Sequence, residues 1–405
     1  MELFELVTSP LLRAPLWGSV LMAISAAWMG VVLFLQKRSL VSETLSHAAY
    51  PGAVVGLLMA PSDPVWAVVF VVAGALVSAS LASGGMCLMQ KKIKADASLS
   101  FTLSVSFGLG LLIYSAIQGS LPSSGQRLMH LLFGQAATMG DSYLAFYGAL
   151  TVLLLAVGSL LFRTMQAIVF HRDFSFSIGL PVKTFDALLQ LLLLVVLALG
   201  FRSVGVLLMS GMLIAPAIAA RQYTDRFGAM FLYASLFGAL SAAIGVYISV
   251  YAKVPTGPAM IIVSSTLAIV SVIFAPRKGW LFRQLRIAQF RRRCIEENSL
   301  KAMWKGQVPQ GMWVLYRLRA QGYVGSDGLL TPDGRQKAAS IVRLHRLWEL
   351  YLAQKLNEPV DRVHKTAEEM EHILTPELER MLTEALLHPK KDPHKQPIPE
   401  GGYQP

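Results

Sequence analysis

Long apolar runs fill the first 275 residues of the chain, and most approach the length of a bilayer-crossing helix. Such a helix needs about 20 predominantly apolar residues. Seven runs stand out: Leu16–Gln36, Val65–Leu88, Ser98–Gln118, Tyr143–Phe162, Phe185–Leu199, Ala229–Tyr251 and Ala259–Ala275. Two further stretches are weaker, Ala48–Met59 with the residues before it and Val204–Ala220. The pattern therefore predicts an all-α polytopic membrane protein with about nine transmembrane helices.

Basic residues mark alternate loops between these runs. Lys and Arg accumulate in the cytoplasmic loops of membrane proteins, so their positions indicate orientation. The marked loops carry Lys37–Arg38, Lys91–Lys92 with Lys94, Arg163 with Arg172, Arg221 with Arg226, and Arg277–Lys278. Nine alternating spans place all of these loops on one side. We therefore predict a multi-pass membrane protein with its N-terminus outside and its C-terminal region in the cytoplasm.

The composition changes near Pro276. Hydrophobic residues make up 54% of the 405 residues, and the mean hydropathy is +0.52, whereas soluble proteins average about 45–50% apolar residues. Of the 36 Lys and Arg residues, 22 follow residue 275. No Gly-Lys dipeptide occurs, which excludes a Walker A phosphate loop. The sequence favours a transporter that binds no nucleotide itself over an enzyme.

A glutamate and a histidine precede one of the apolar runs, in VSETLSHAAYPG at 41–52. Glu43 and His47 are four residues apart, so on a helix they share one face. One interpretation is a helix end near water, where polar residues cost little. The other is a pair of cation ligands, because ionisable residues in membrane spans are usually functional. The spacing alone does not decide between them.

Four stretches resemble the membrane subunits of ATP-driven zinc, manganese and iron importers. SETLSHAAYPGAVVG at 42–56 is similar to that family's Asp-x-Leu-Ser-His-x-x-x-Pro-Gly stretch. The others are LLFGQAATMGDSY at 131–143, HRDFSFSIGLPVKTFD at 171–186 and RSVGVLLMSGMLIAPAIAARQY at 202–223. The resemblance implies a transmembrane permease domain over residues 1–276, in the bacterial inner membrane.

The resemblance also implies a cargo site and partners. It assigns Glu43 and His47 as ligands of the passing cation, with glutamate in place of the family's aspartate. Carboxylate oxygen and imidazole nitrogen suit Mn²⁺, Fe²⁺ or Zn²⁺ better than Cu(I), and Mn²⁺ is favoured. The expected partners are a cytosolic ATP-binding subunit, an extracytoplasmic metal-binding protein, and a second permease subunit that completes a homo- or heterodimer.

The loop at 171–186 resembles the one that such permeases press against their ATPase. Asp173, Ser175 and Ser177 can cap a short helix here, and Gly179 with Pro181 can end it. Phe174 and Phe176 offer apolar contacts to a partner groove. The alternative is an ordinary amphipathic loop helix.

The cytosolic third begins with a basic stretch, 277–293, with apolar residues interleaved. This pattern predicts a juxtamembrane linker on anionic lipid, over 277–295. The following residues predict a helix, a hairpin with Ser-Asp-Gly at its turn, and a long helix that begins near Thr331-Pro332. Helix, hairpin and helix outline a truncated winged-helix-like region over 296–340.

Histidine and glutamate then recur at helical spacing. Six side chains of metal-ligand type lie at His345, Glu349, His364, Glu368, Glu371 and His372. They can close one octahedral N/O site or two smaller ones, or form the solvated face of amphipathic helices. This stretch, with HPKKDPHKQPIP at 388–399, resembles the diphtheria-toxin-repressor family of metal-dependent winged-helix regulators. The resemblance implies that the six residues are sensor ligands, within metal-binding and dimerisation helices over 341–400, before a tail at 401–405.

The part before the hairpin is shorter than in that family. Its second helix is missing from the pattern, and Glu296 or Glu297 is a substitute for a ligand from the first. Arg317 and Arg319 are candidates for phosphate contacts, or are simply solvated. The leading prediction is a permease of divalent transition metal ions with a fused metal sensor. The alternative is a metal-dependent transcriptional regulator, membrane-tethered or released by cleavage in the linker, with DNA as its partner.

Overall fold

The structure, a computed structural model, describes residues 10–61, 63–120, 129–308, 311–356, 359 and 376–399. The chain divides into two compact units, Met1–Phe282 and Arg283–Pro405. Helices dominate both units. The helices of the first unit are α1 Pro10–Leu35, α2 Ser39–Met59, α3 Pro64–Met89, α4 Ala95–Ser120, α5 Asp141–Leu160, α6 Phe162–Phe170, α7 Arg172–Ser177, α8 Val182–Gly200, α9 Val206–Tyr223, α10 Phe227–Ala252 and α11 Thr256–Phe274.

Eight of these helices are long and apolar enough to cross a membrane, namely α1, α3, α4, α5, α8, α9, α10 and α11, within the described residues. They confirm the all-α polytopic fold. The ninth predicted span corresponds to α2, which is 21 residues long and carries several hydroxyl side chains besides Glu43 and His47. About nine spans is therefore a close description of this unit.

The middle of helix α2 lies inside the first unit, while its two ends are exposed. It packs against α3, α4, α8 and α9, and every side chain from Thr44 to Pro51 is buried. Its polar N-terminal half therefore faces protein. Burial of polar groups in this position costs free energy unless they bind something.

Glycines allow α2 and α3 to approach closely. A β-carbon at Gly52 would lie 2.0 Å from the carbonyl oxygen of Gly74, and one at Gly56 would lie 2.3 Å from that of Phe70. The Gly52–Gly56 spacing is the small-xxx-small pattern that lets membrane helices pack backbone to backbone. This contact fixes the position of α2, and therefore of Glu43 and His47.

Two loops that are far apart in sequence meet beside the helix ends of the first unit. The backbone N–H of Gln135 donates to the carbonyl of Arg202, and that of Ala136 donates to the hydroxyl of Thr256, at 2.9 and 2.7 Å. Gly134 and Gly205 have φ of +71° and +95°, a region that side chains rarely adopt. These bonds tie the loop before α5 to the starts of α9 and α11.

The second unit has its own small cores. Its helices are α13 Met312–Ala320, α14 Pro332–Lys355 and α15 Pro376–Ala385, while α12 Trp280–Trp304 begins just before the unit boundary. One core joins α12, α13 and α14 through Leu300, Val314, Leu318, Val324, Ala338 and Ile341. A second core joins α14 to the C-terminal segment through Leu347, Leu350, Leu386 and Ile398.

The helix–hairpin–helix outline in this unit is confirmed. Val324 and Leu330 form an antiparallel bridge across the Ser-Asp-Gly turn, and α14 starts at Pro332. The Thr331 hydroxyl caps α14 by accepting from the N–H of Gly334 at 3.1 Å. Between α12 and the hairpin, the described residues contain one helix, α13, which matches the predicted lack of a second helix.

Candidate functional site

The candidate cargo site lies on the second and third turns of α2. Glu43 is half-buried, and His47 is only 8% exposed. The two side chains are close enough to interact electrostatically. Because α2 begins at Ser39, the histidine lies well inside the helix and away from water. This placement argues against a solvated helix end.

An aromatic side chain of α4 packs against His47. The Phe107 ring packs edge-on against the imidazole, with centroids 4.7 Å apart. The imidazole Nδ1 is buried and makes no hydrogen bond with any described residue, and neither does the nearby Tyr50 hydroxyl. A buried polar atom without a partner costs free energy. A cation bound by the imidazole would satisfy it.

The candidate cargo site has few donor side chains in one protomer. No cluster of three or more His, Cys, Asp or Glu side chains occurs among the described residues. One protomer therefore offers a carboxylate and an imidazole, fewer ligands than Mn²⁺, Fe²⁺ or Zn²⁺ normally takes.

Three of the stretches singled out in the sequence are joined by hydrogen bonds. The Ser46 hydroxyl, one residue before His47, donates to the carbonyl of Val206 at 2.9 Å. Val206 follows the Arg202–Gly205 segment that binds the loop at 131–136. The resemblance picked out these stretches, but the spacing along the chain gave no sign that they meet.

The loop between α6 and α8 forms the predicted short helix, α7. Phe174 and Phe176 are 63% and 66% exposed. The helix ends at Ser177, and Gly179 follows it with a φ of +82°, as predicted. The N–H of Leu180 donates to the carbonyl of Ser175, and that of Gly179 to Phe176, which is the Schellman motif. Pro181 then precedes α8.

The predicted N-terminal cap of this helix is wrong. His171 is the N-cap residue, and no side chain caps it. The Ser175 and Ser177 hydroxyls instead donate to the carbonyls of His171 and Phe174. Ser and Thr hydroxyls inside a helix commonly bond to the preceding turn in this way.

An ion pair attaches α7 to α8. The Arg172 guanidinium donates to both carboxylate oxygens of Asp186, in the second turn of α8. This hydrogen bonding raises the pKa of Arg172. A bidentate pair of this kind fixes orientation as well as distance, so the exposed phenylalanines are held in a defined position.

The structure describes two of the six predicted sensor residues. His345 and Glu349 lie on α14 and are 5% and 2% exposed. The imidazole Nε2 lies 3.0 Å from Glu349 Oε1, and Nδ1 lies 3.4 Å from the Nζ of Lys301 on α12. His364, Glu368, Glu371 and His372 lie outside the described residues. The described donors have the right chemistry for a divalent metal, but a lysine already contacts the histidine.

Other charged residues of this unit are paired within the fold. Glu296 forms an ion pair with Arg317 at 3.0 Å, and Glu297 forms one with Arg293 at 2.9 Å. Arg317 also lies over the Trp313 ring. The Arg319 guanidinium donates to the carbonyls of Gly325 and Ser326 in the hairpin turn. Through these contacts the charged side chains stabilise the helix–hairpin module.

Comparison with known proteins gives two family matches. Residues 8–275 match the ABC 3 transport family. Residues 331–400 match the iron dependent repressor, metal binding and dimerisation domain. Both resemblances stated from the sequence are thereby confirmed.

Individual relatives agree with these matches. The chain is 33% identical over 429 residues to a probable metal transport system membrane protein of Chlamydia trachomatis, covering 94% of each chain. It is 31% identical over 291 residues to the manganese transport system membrane protein MntC of Bacillus subtilis, covering 71% of this chain and 66% of the relative. It is also similar to the solved structure of PsaBC from Streptococcus pneumoniae in complex with Fab, with a TM-score of 0.62 and 25% identity, covering 69% of this chain and 98% of that one.

The first of these relatives spans both units. The match to the transport family covers more than half of the chain and includes all eight membrane-crossing helices. The chain therefore belongs to the ABC 3 transport family, as a multi-pass membrane permease that carries a C-terminal segment of the iron-dependent-repressor metal-binding and dimerisation family.

Proposed function

We propose that this chain is the permease subunit of an ATP-driven importer of a divalent transition metal ion, with Glu43 and His47 as ligands of the passing ion. The observation that carries the proposal is the buried imidazole of His47, whose Nδ1 has no hydrogen-bond partner among the described residues. The relatives' names support a metal cargo, since they include manganese transport and zinc transport proteins. Mn²⁺ is favoured and Zn²⁺ or Fe²⁺ are the alternatives.

The small donor set supports a dimeric permease. Two chains, each contributing Glu43 and His47, supply four N/O donors, which approaches the coordination that these ions prefer. An incomplete site per protomer also suits transport, because the ion must leave as well as bind. The second pair of donors comes from a second copy of the chain or from a related permease subunit.

Helix α7 transmits the movement of the ATPase in this proposal. Asp173, Phe174, Phe176, Gly179 and Pro181 form or shape the loop surface. The two exposed phenylalanines insert into a groove of a separate cytosolic ATP-binding subunit, and the Arg172–Asp186 pair passes the displacement to α8. An extracytoplasmic metal-binding protein delivers the ion on the other side. The N-terminus lies outside and the second unit lies in the cytoplasm.

The second unit acts as a cytosolic metal sensor in the same proposal. Its support is the match of residues 331–400 to a metal-binding and dimerisation domain and the N/O donors at His345 and Glu349. The sensor ligands are His345, Glu349, His364, Glu368, Glu371 and His372.

Uptake measurements test the transport role. Cells or proteoliposomes that contain the chain with its ATP-binding subunit should accumulate radiolabelled Mn²⁺ or Zn²⁺. Removing a metal ligand should lower uptake at least about tenfold, since even outer-shell partners cost 10–100-fold, so His47→Ala should do so. The exposed histidine His394 provides the control variant, His394→Ala, which should retain uptake. Equal uptake by wild type and His47→Ala would show that His47 is not a ligand.

A further inference from the structure

A buried lysine contacts the candidate sensor site. Lys301 lies on α12 with only 6% of its surface exposed, and its Nζ lies 3.4 Å from Nδ1 of His345. Lysine is almost never buried to this degree without a partner. Its ammonium therefore depends on the groups that it meets there.

Lys301, His345 and Glu349 form a chain of contacts. A lysine ammonium can only donate hydrogen bonds, so Nδ1 of His345 is the acceptor. The other ring nitrogen, Nε2, then carries the proton and donates to Glu349 Oε1 at 3.0 Å. Both nitrogens of the imidazole are used. The ammonium and the carboxylate at the two ends of this chain carry opposite charges.

This arrangement uses the donor atoms that a divalent ion would need at these two residues. A metal bound through Nε2 requires the ring proton on Nδ1, where it would face the donating ammonium of Lys301. A metal bound through Nδ1 requires the space of the ammonium itself. A second cation near the site is also repelled by the first. Metal and lysine are therefore mutually exclusive partners of His345.

We propose that the Lys301 ammonium is a built-in competitor of the divalent ion at His345 and Glu349, and that the ion binds there only by displacing it. This inference rests on the proposed sensor role of the second unit. The competition raises the metal concentration at which the sensor responds, because the ion must displace the lysine before it can bind. The displaced Lys301 would also loosen the contact between α12 and α14.

Metal binding to the full chain in detergent micelles tests the inference. Mn²⁺ is titrated and free ion is followed by its electron paramagnetic resonance signal, with every variant also carrying His47→Ala so that the cargo site does not contribute. A charge within 4–6 Å changes the affinity of a group for a proton by about tenfold or more, and we expect an effect of similar size on Mn²⁺. Lys301→Met should therefore bind Mn²⁺ at least about tenfold more tightly, while Lys301→Arg, which keeps the charge, should bind as weakly as wild type.

Adding His345→Ala separates the two proposals. It should abolish the gain of Lys301→Met, and a gain that survives it would overturn the inference. If His345→Ala weakens Mn²⁺ binding but Lys301→Met does not strengthen it, competition by Lys301 is refuted and the sensor role stands. If neither change affects binding, both proposals are wrong.

A stability measurement keeps the inference testable if Lys301→Met folds poorly. Glu349→Gln removes a negative charge from the end of this contact chain that opposes the buried ammonium, so the melting temperature should fall. The double variant Glu349→Gln with Lys301→Gln removes both charges and should regain much of the loss. Strictly additive losses would show that the two charges are not coupled.

Discussion

Glu43 has a side chain one methylene longer than the aspartate that the importer family has at this position, in the stretch that residues 42–56 resemble. Glu43 is half-buried, whereas His47 is buried and packs against Phe107. The longer chain brings the oxygens nearer to the histidine along the helix or lets them swing away from it. Metal selectivity depends on such distances, because the common divalent ions share the same donor types.

Two variants of Glu43 test separately the charge of the side chain and its length. Glu43→Gln removes the anionic donor, so uptake should fall at least about tenfold, as expected for the loss of a metal ligand. Glu43→Asp keeps the donor and should retain transport with an altered ratio of Mn²⁺ to Zn²⁺. The measurement is competitive uptake of the two labelled ions, with the exposed Glu384→Gln as the control. An unchanged uptake in Glu43→Gln contradicts the ligand role.

The shared face of Glu43 and His47 could be predicted from their four-residue spacing alone. The burial of His47, its contact with Phe107 and the bond from Ser46 to Val206 could not. Each depends on helices that are distant in sequence and that carry no local signal of their pairing.

At the scale of helices, α4 presents two small positions with opposite surroundings. A β-carbon at Gly110 would lie 2.3 Å from the Tyr50 ring on α2, while one at Gly108 would meet nothing within 4 Å. Gly110 therefore sets how closely α4 approaches the part of α2 that carries His47. Gly108 provides a matched glycine on the same helix.

Gly110→Ala should reduce both stability and uptake. Overpacking of this kind costs about 1–3 kcal/mol, and a shift of α4 would also disturb the contact of Phe107 with His47. Gly108→Ala should leave the melting temperature and Mn²⁺ uptake close to those of wild type. Thermal unfolding in detergent and uptake in proteoliposomes measure the two effects. Equal behaviour of the two variants would show that this helix contact does not support the site.

Helix α7 shows what local sequence signals can and cannot predict. Its end was predictable because a left-handed residue and a following proline have strong positional preferences, as at Gly179 and Pro181. Its start was not, because serines inside a six-residue helix can bond backward as easily as they can cap. The Arg172–Asp186 pair joins two elements and had no signal in the pattern.

On the scale of the whole chain, a permease and a repressor-like segment share one polypeptide. The change in charge near residue 276 predicted this division from composition, and the compact units separate at Phe282. The sequence also suggested DNA phosphates as partners of Arg317 and Arg319. Both arginines instead contact groups within the second unit. Arg317 contacts Glu296 and the Trp313 ring, and Arg319 donates to the hairpin turn. Each arginine is therefore already engaged in a contact within the unit.

Because these arginines already have partners, we predict that the second unit binds metal but does not recognise DNA in a metal-dependent way. Phosphate contacts supply much of the affinity of DNA-binding proteins, and a module without free arginines on its helix α13 and hairpin lacks that contribution. Mobility shifts of the full chain in nanodiscs, on promoter DNA of its own operon and on scrambled DNA, should be the same with and without Mn²⁺. Any weak retardation should come from the exposed basic face of α12 and affect both DNAs equally. A Mn²⁺-dependent shift that is specific for the promoter, and is lost in His345→Ala, would instead establish the regulator function and require Arg317 or Arg319 to leave its partner when the metal binds.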